Sequence, residues 1–277
     1  MPYNNPMDKT GKSYWNNFWG SKPLPSAFDP LDKSLRNTSN HRLHELFTRA
    51  FSDMQTQNKN ILEIGCARSV WLPYFSKQFG FNVFGIDYSE IGCREAKQIL
   101  EDEGVQGVVV QADFLFPPDT MFSKFDVVVS LGVIEHNNDP SYLVKMIAQY
   151  VKPGGIVFTA IPNFIGLVGF FHKQINRPVY NVHFPMDVAL LKQIHQQAGL
   201  KILKCEYFMF TNFSVINLRG LARDSILWVI KKLGRNFLLS LTVLCWLFEK
   251  YTHYTIPSNW ITSPYIYCLA KKIEKRE

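Results

Sequence analysis

Three acidic side chains in the first half of the chain stand at the ends of short apolar runs. They are Glu63 in Asn60-Ile61-Leu62-Glu63-Ile64, Asp87 in Gly85-Ile86-Asp87-Tyr88, and Asp113 in Gln111-Ala112-Asp113-Phe114. A carboxylate at such a place can accept hydrogen bonds from ligand hydroxyls or amino groups, or balance a cation. Between the first two acids, Gly65-Cys66-Ala67-Arg68-Ser69 offers a turn at which backbone amides can come close to a ligand. A fourth chemical group, His136, follows the apolar run Phe125 to Leu131 and has the side chain best suited to moving a proton near neutral pH.

The turn's spacing narrows the ligand. A dinucleotide site asks for glycine at the first, third and sixth turn positions, where this chain has Gly65, Ala67 and Val70. The missing third glycine and the adjacent Glu63 both disfavour a pyrophosphate, while Glu63 would attract an ammonium group. Asp87, at the tip of the next apolar run, is placed to accept from both hydroxyls of a ribose. Tyr88 and Phe114 offer faces for a base, and Asp113 can accept from an adenine amino group. Together these residues describe an adenosine bearing a cationic amino-acid tail. For Gly65 the plain alternative is a tight turn, and for Asp87 or Asp113 a helix cap. Cys66 reads as a small buried turn residue rather than a nucleophile, since no base accompanies it.

The elements that must carry these groups alternate. Strands are expected at 60–64, 82–86, 107–111, 125–131 and 155–161, with helices near 70–79, 89–103 and 141–150. Short apolar, β-branched runs separated by helices specify a doubly wound, mostly parallel α/β sheet. Upstream, a helix is expected from Asn40 to about Met54. Beyond Pro162 a loop is expected to residue 185, then a helix from Asp187 to Ala198, Gly199 as its C-cap, a strand at 201–208 and a last strand at 265–271. The organisation is an N-terminal arm and helix (1–55), one α/β domain (56–211 and 259–277), and an apolar, partly basic insertion (212–258). The aromatic cluster Tyr14, Trp15, Phe18 and Trp19 docks the arm or forms a flap over a ligand.

The 277 residues, 47% hydrophobic, suffice for one such domain with embellishments. The net charge of +7 permits an anionic partner, yet Lys and Arg are dispersed, so nucleic acid is not specifically indicated. The five cysteines form no CxxC pair, which disfavours a zinc site or disulfide framework and suits reduced thiols in a cytoplasm. Residues 1–5 lack the basic-then-apolar order of a signal peptide, and no apolar run reaches the length of a membrane span.

In order, Glu63-x-Gly65-x-Ala67, Asp87, Ala112-Asp113, the run from Phe125 to Glu135-His136, and Lys152-Pro153-Gly154-Gly155 resemble the class I S-adenosylmethionine-dependent methyltransferases. The match covers residues 60–161 well and the rest more loosely. The Glu-His ending and the Lys-Pro-Gly-Gly turn look most like the small-molecule branch that includes quinone-biosynthesis methyltransferases. The resemblance implies a seven-stranded Rossmann-like sheet with an antiparallel final strand. It implies S-adenosyl-L-methionine as cofactor, with Glu63, Gly65, Cys66 and Ala67 at its methionine end, Asp87 and Tyr88 at the ribose, Asp113 and Phe114 at the adenine, and Leu131 with Gly132 beside the sulfonium. Ala67 and Ser69 stand where many members have glycine, which narrows the turn.

For the acceptor, His136 is the candidate base, with a backbone-bonded loop histidine as the alternative. His183, His172 and Asn163 lie in the segment that often borders the acceptor in this fold; Asn163 and His183 are candidate substrate contacts, and His183 is a second, weaker candidate base. No metal set is evident, because Asp139 with Asn137 and Asn138 is too thin a cluster. The insertion is read as a pair of helices, Ile226 to Ile230 and Phe237 to Phe248, that caps the pocket or forms a homodimer; contact with the inner face of a membrane is the rival. The expected function is methyl transfer to a small or lipid-like acceptor, at oxygen. Rivals are an RNA or protein methyltransferase, whose Asn-Pro-Pro-Tyr type motif Ile161-Pro162-Asn163-Phe164 echoes only loosely, and a non-catalytic cofactor-binding module. A NAD-dependent oxidoreductase is disfavoured by Val70 and Glu63.

Overall fold

The computed structural model describes residues 7–20 and 23–274, so the 1–5 stretch read for a leader lies outside it. Helix α1 (Gly11–Trp19) and helix α2 (Thr38–Ala50) precede the sheet. Strand β1 (Asn60–Ile64), α3 (Trp71–Phe79), β2 (Asn82–Asp87), α4 (Glu90–Asp102), β3 (Gly107–Gln111) and β4 (Phe125–Leu131) then alternate, followed by α5 (Pro140–Tyr150) and β5 (Val151–Pro162). Next come α6 (Leu167–Ile175), α7 (Arg177–Asn181), α8 (Val188–Gln197), β6 (Leu200–Phe208), α9 (Ile226–Thr252) and β7 (Tyr265–Lys272).

The strands form one seven-stranded sheet in the order β3-β2-β1-β4-β5-β7-β6. β1 to β5 are parallel, and β7 runs antiparallel to both β5 and β6, as the resemblance implies. The order reverses between β1 and β4, and a crevice opens there at the carboxyl ends of the strands. Both faces are covered: α2, α3 and α4 place Phe47, Trp71, Phe75 and Ala96 on one, while α5 and α8 place Ile147, Leu191 and Ile194 on the other. That double coverage is why the strands read as nearly continuous apolar runs.

Three expectations are corrected. Lys152-Pro153-Gly154-Gly155 is not a free turn before a strand but an irregular start of β5, where pairing with β4 jumps from Phe125–Val151 to Val127–Ile156. The 162–185 segment is not a loop throughout; α6 and α7 form in it because Val168, His172 and Ile175 recur at helical spacing and bury one face. The insertion holds one 27-residue helix, α9, rather than a pair. Ser225 caps its start by accepting from the Trp228 N–H (3.1 Å), and the chain leaves it at His253, φ 56°. Gly234, between the two expected helices, costs only about 1 kcal/mol relative to alanine, less than the packing of α9 returns. Leu238 joins Phe164, Val168, Phe213 and Ile216 in a third apolar cluster that ties α9 to α6.

Candidate functional site

A cavity of about 330 Å³ occupies the crevice at the ends of β1, β2 and β4. It is lined by Glu63, Gly65, Ala67, Asp87, Tyr88, Asp113, Phe114, Leu131, Gly132 and His136, as the sequence places them. Cys66, Asn163 and His183 are not in its lining.

Glu63 is buried near the end of β1, whose partners Gly85 and Val129 flank it in the sheet. Gly65 follows at φ 76°, and a β-carbon added to it would lie 2.5 Å from the Val133 side chain, so glycine is required twice over. The Ser69 hydroxyl donates a short hydrogen bond to Glu63 and accepts from the N–H groups of Trp71 (3.0 Å) and Leu72 (3.1 Å). One side chain thereby caps α3 and fixes the acid. Burial pushes Glu63 up to about 8, a shift the Ser69 bond reduces and Asp87 adds to. A cationic ligand group would reverse much of that penalty.

At the tip of β2, Asp87 accepts from the main-chain N–H of Ala67 (3.2 Å) and of Ser89 (2.7 Å). The first contact links the two halves of the site; burial lifts Asp87 to about 6 despite both bonds. Asp113 accepts from the Leu115 N–H (2.9 Å), and burial raises it too. Tyr88 donates to Asp8 of the N-terminal arm (3.2 Å).

Beyond Gly132, which takes φ 70°, His136 reaches the cavity with its Nδ1 hydrogen-bonded to the Val182 carbonyl (3.0 Å). A carbonyl can only accept, so the proton sits on Nδ1 and Nε2 keeps its lone pair. Burial pushes His136 down to about 4, leaving it neutral near pH 7.

Two of the acceptor-side candidates lie outside the cavity lining. Asn163 is fully buried, donates to the carbonyls of Trp260 and Ser263 (3.0 Å each) and accepts from the N–H groups of Ile165 and Gly166 (3.3 Å each). Its side-chain bonds join the end of β5 to the segment before β7. His183 stands behind His136, ring centroids 4.5 Å apart, with its Nδ1 on the Val179 carbonyl (2.7 Å). The Cys66 side chain is turned into the core against Gly85, leaving only its backbone in the turn. Ligand atoms of Glu135, His136 and His183 lie within 4.8 Å of one another, a cation-compatible grouping that folding creates and linear spacing hides.

Trp15 and Trp19 of the aromatic cluster also line the cavity, as do Asp8, Thr10 and Arg68, which were not singled out. The arm is stitched to the loop after β4 by Lys9 N–H to the His136 carbonyl (2.9 Å) and Asn138 N–H to the Met7 carbonyl (2.8 Å). Within it, Trp15 donates to Thr10 and Thr10 to Asp8. The crowded aromatics were the readable signal for this wall; Asp8 gave none. Arg68, at φ 55°, pairs with Glu95 at 2.6 Å and lies 5.7 Å from the Trp19 ring.

A doubly wound sheet with an antiparallel seventh strand, and acids at the tips of β1 and β2 around one crevice, define the Rossmann-like fold of class I methyltransferases. The chain belongs to the methyltransferase-domain family, which it matches over residues 35–205. It is 26% identical over 167 residues to the ubiquinone biosynthesis O-methyltransferase of Pasteurella multocida, covering 57% of this chain and 62% of the relative. To the enzyme of the same name from Pseudomonas aeruginosa it is 34% identical over 105 residues, 38% of this chain and 45% of the relative. The chain thus spans less than two thirds of either relative's length. Among solved structures, magnesium protoporphyrin IX methyltransferase from Synechocystis PCC 6803 with bound S-adenosylhomocysteine superposes with a TM-score of 0.56 at 13% identity, covering 93% of this chain and 92% of that one.

Proposed function

We propose that the protein transfers the methyl group of S-adenosylmethionine to an oxygen of a small, lipid-like acceptor. The observation that carries this reading is one cavity lined both by the paired acids Glu63 and Asp87 and by the neutral His136. The ubiquinone-biosynthesis relatives favour a small molecule over RNA or protein, and an oxygen acceptor over nitrogen.

When bound, S-adenosylmethionine supplies an electrophilic methyl carbon on a positively charged sulfur. Glu63 would balance the ammonium of its amino-acid end, Asp87 would accept from the ribose hydroxyls, and Asp113 with Tyr88 and Phe114 would hold the adenine end. Leu131 and Gly132 would border the reacting carbon, where glycine keeps the approach open. His136 would take the proton from an acceptor hydroxyl as its oxygen gains the methyl carbon and the carbon–sulfur bond breaks, leaving a neutral thioether; His183 would hold that ring rather than touch the acceptor. The arm from Asp8 to Trp19 would exclude water from the same cavity.

Titration calorimetry with S-adenosylhomocysteine, then a labelled-methyl assay against fractionated cell lipids and small molecules, tests the reading. Micromolar binding lost in Asp87→Ala, with label entering an organic-soluble product, is expected. No binding by the intact chain would leave the non-catalytic module in its place.

A further inference from the structure

Helix α9 is amphipathic the wrong way round for a helix that serves only its own core. Its inward face carries polar groups in specific bonds: Arg235 donates to the Ile216 carbonyl (2.7 Å), Thr242 accepts from the Phe213 N–H (3.0 Å), and Trp246 donates to the Thr211 carbonyl (3.1 Å). Its outward face carries Ile230, Leu233, Phe237, Leu241, Leu244 and Phe248, all exposed, with Leu233 and Phe237 each 64% accessible. They follow one another at three- and four-residue steps and form one stripe about 27 Å long at 1.5 Å per residue. An unpartnered apolar stripe of this length on a helix marks an interaction surface.

Charge decides what covers it. Exposed Lys232 and Lys250 flank the stripe, and the only acid within α9, Glu249, is turned onto Arg42 at 3.0 Å. A second copy of the helix would therefore bring more lysines and no free acid to meet them. An anionic lipid surface supplies the missing charge and takes the apolar side chains at the same depth. Exposed Tyr251, Tyr254 and Trp260 near the helix's end are residues suited to a headgroup boundary. No helix among the described residues is long and apolar enough to cross a membrane, so this face would lie along it.

We propose that the outward face of α9 docks the protein on anionic bilayers, deepening the reading above because a lipid-like acceptor resides there. Flotation of the full chain with vesicles tests it. The protein is expected to rise with phosphatidylglycerol–phosphatidylcholine vesicles but not with phosphatidylcholine alone, and to be released as salt is raised. Phe237→Glu with Leu244→Glu should lower the bound fraction at least about tenfold, and Lys232→Glu with Lys250→Glu by a similar factor on anionic vesicles. S-adenosylhomocysteine affinity measured on each variant reports its fold and is expected unchanged. Binding indifferent to lipid charge, or no binding, overturns the proposal. So does a dimer in light scattering that Phe237→Glu with Leu244→Glu dissociates while flotation stays the same. Failure of the intact chain to bind S-adenosylhomocysteine would instead remove the methyltransferase reading and leave the vesicle result standing.

Discussion

The imidazole of His136 faces that of His183 at 4.5 Å between ring centroids, and each ring commits Nδ1 to a main-chain carbonyl. Two rings so close cannot both be charged cheaply. His183 is pushed down to about 3, first by burial and then by His136, while burial lowers His136 to about 4. The arrangement keeps His136, which lines the cavity, neutral, with its tautomer fixed by the Val182 carbonyl and Nε2 left 3.9 Å from Glu135 Oε1.

His136→Ala should lower kcat by about 10²-fold or more while S-adenosylhomocysteine affinity changes little. Steady-state kinetics paired with calorimetry checks this. His183→Ala should disturb the acid limb of the pH–rate profile by freeing the His136 ring, without removing activity. An equal loss of cofactor affinity in His136→Ala would mean that the ring shapes the pocket and moves no proton.

Cofactor binding should release a proton near pH 7. Glu63 titrates at about 8 in the free protein and is therefore mostly protonated there, but an ammonium beside it favours the charged form. Calorimetry with S-adenosylhomocysteine in two buffers of different ionisation enthalpy measures the release directly. Glu63→Gln should abolish it and weaken binding by about tenfold. Identical heats in both buffers for the wild type would contradict this.

Thermal stability of the ligand-free protein should fall on both sides of mildly acidic pH. Glu135 is buried, with Oε2 unpartnered, and is raised to about 8; its contribution is full below the unfolded carboxyl value and is lost as pH rises through about 8. His136, His172 and His195, each lowered to about 4, contribute fully above the unfolded imidazole value of about 6.5 and lose that contribution as pH falls through about 4. Glu135→Gln should make the alkaline side shallower, with buried Glu63, also raised to about 8, carrying the remaining slope, and should leave the acid side unchanged, which fluorimetric melting across the range would show.

Much of this site was legible because its chemistry sits at strand ends. Glu63, Asp87 and Asp113 each close an apolar run, and the alternation of runs and helices orders those ends along one crevice. Asn163 too ends a strand, but its side-chain partners Trp260 and Ser263 come from a segment about a hundred residues away. No local pattern reports such a pairing. The inverted amphipathicity of α9 was equally hidden, since an apolar stripe in sequence does not say which face it occupies. What sets the sides is a group of polar contacts, Arg235 to Ile216 and Thr242 to Phe213, that exist only after folding.

Asn163→Ala should therefore destabilise the fold by about 2–4 kcal/mol, because it removes the partner of the buried Ser263 carbonyl, of the half-buried Trp260 carbonyl and of two N–H groups. Chemical denaturation measures the loss. KM for the acceptor should be unchanged in the folded fraction; a large KM effect at full stability would restore a pocket role.

The arm should govern how fast the cofactor leaves. Trp15 packs on His136 with ring centroids 5.1 Å apart and donates to Thr10 (3.0 Å), and Trp19 closes the side of the cavity near Arg68. No buried core residue lies in α1, so the helix is held by these edge contacts, by Lys9 and Met7 on the loop after β4, and by Asn16, which accepts from Ser89 (2.8 Å). Such an element can open without unfolding the sheet beneath it. Trp15→Ala with Trp19→Ala should raise the dissociation rate of S-adenosylhomocysteine about tenfold or more, as followed by stopped-flow fluorescence or competition. The melting temperature of the ligand-free protein should move little, because the sheet and its two apolar layers do not depend on α1. A large drop in that temperature, with the dissociation rate unchanged, would make α1 a structural brace and not a closure.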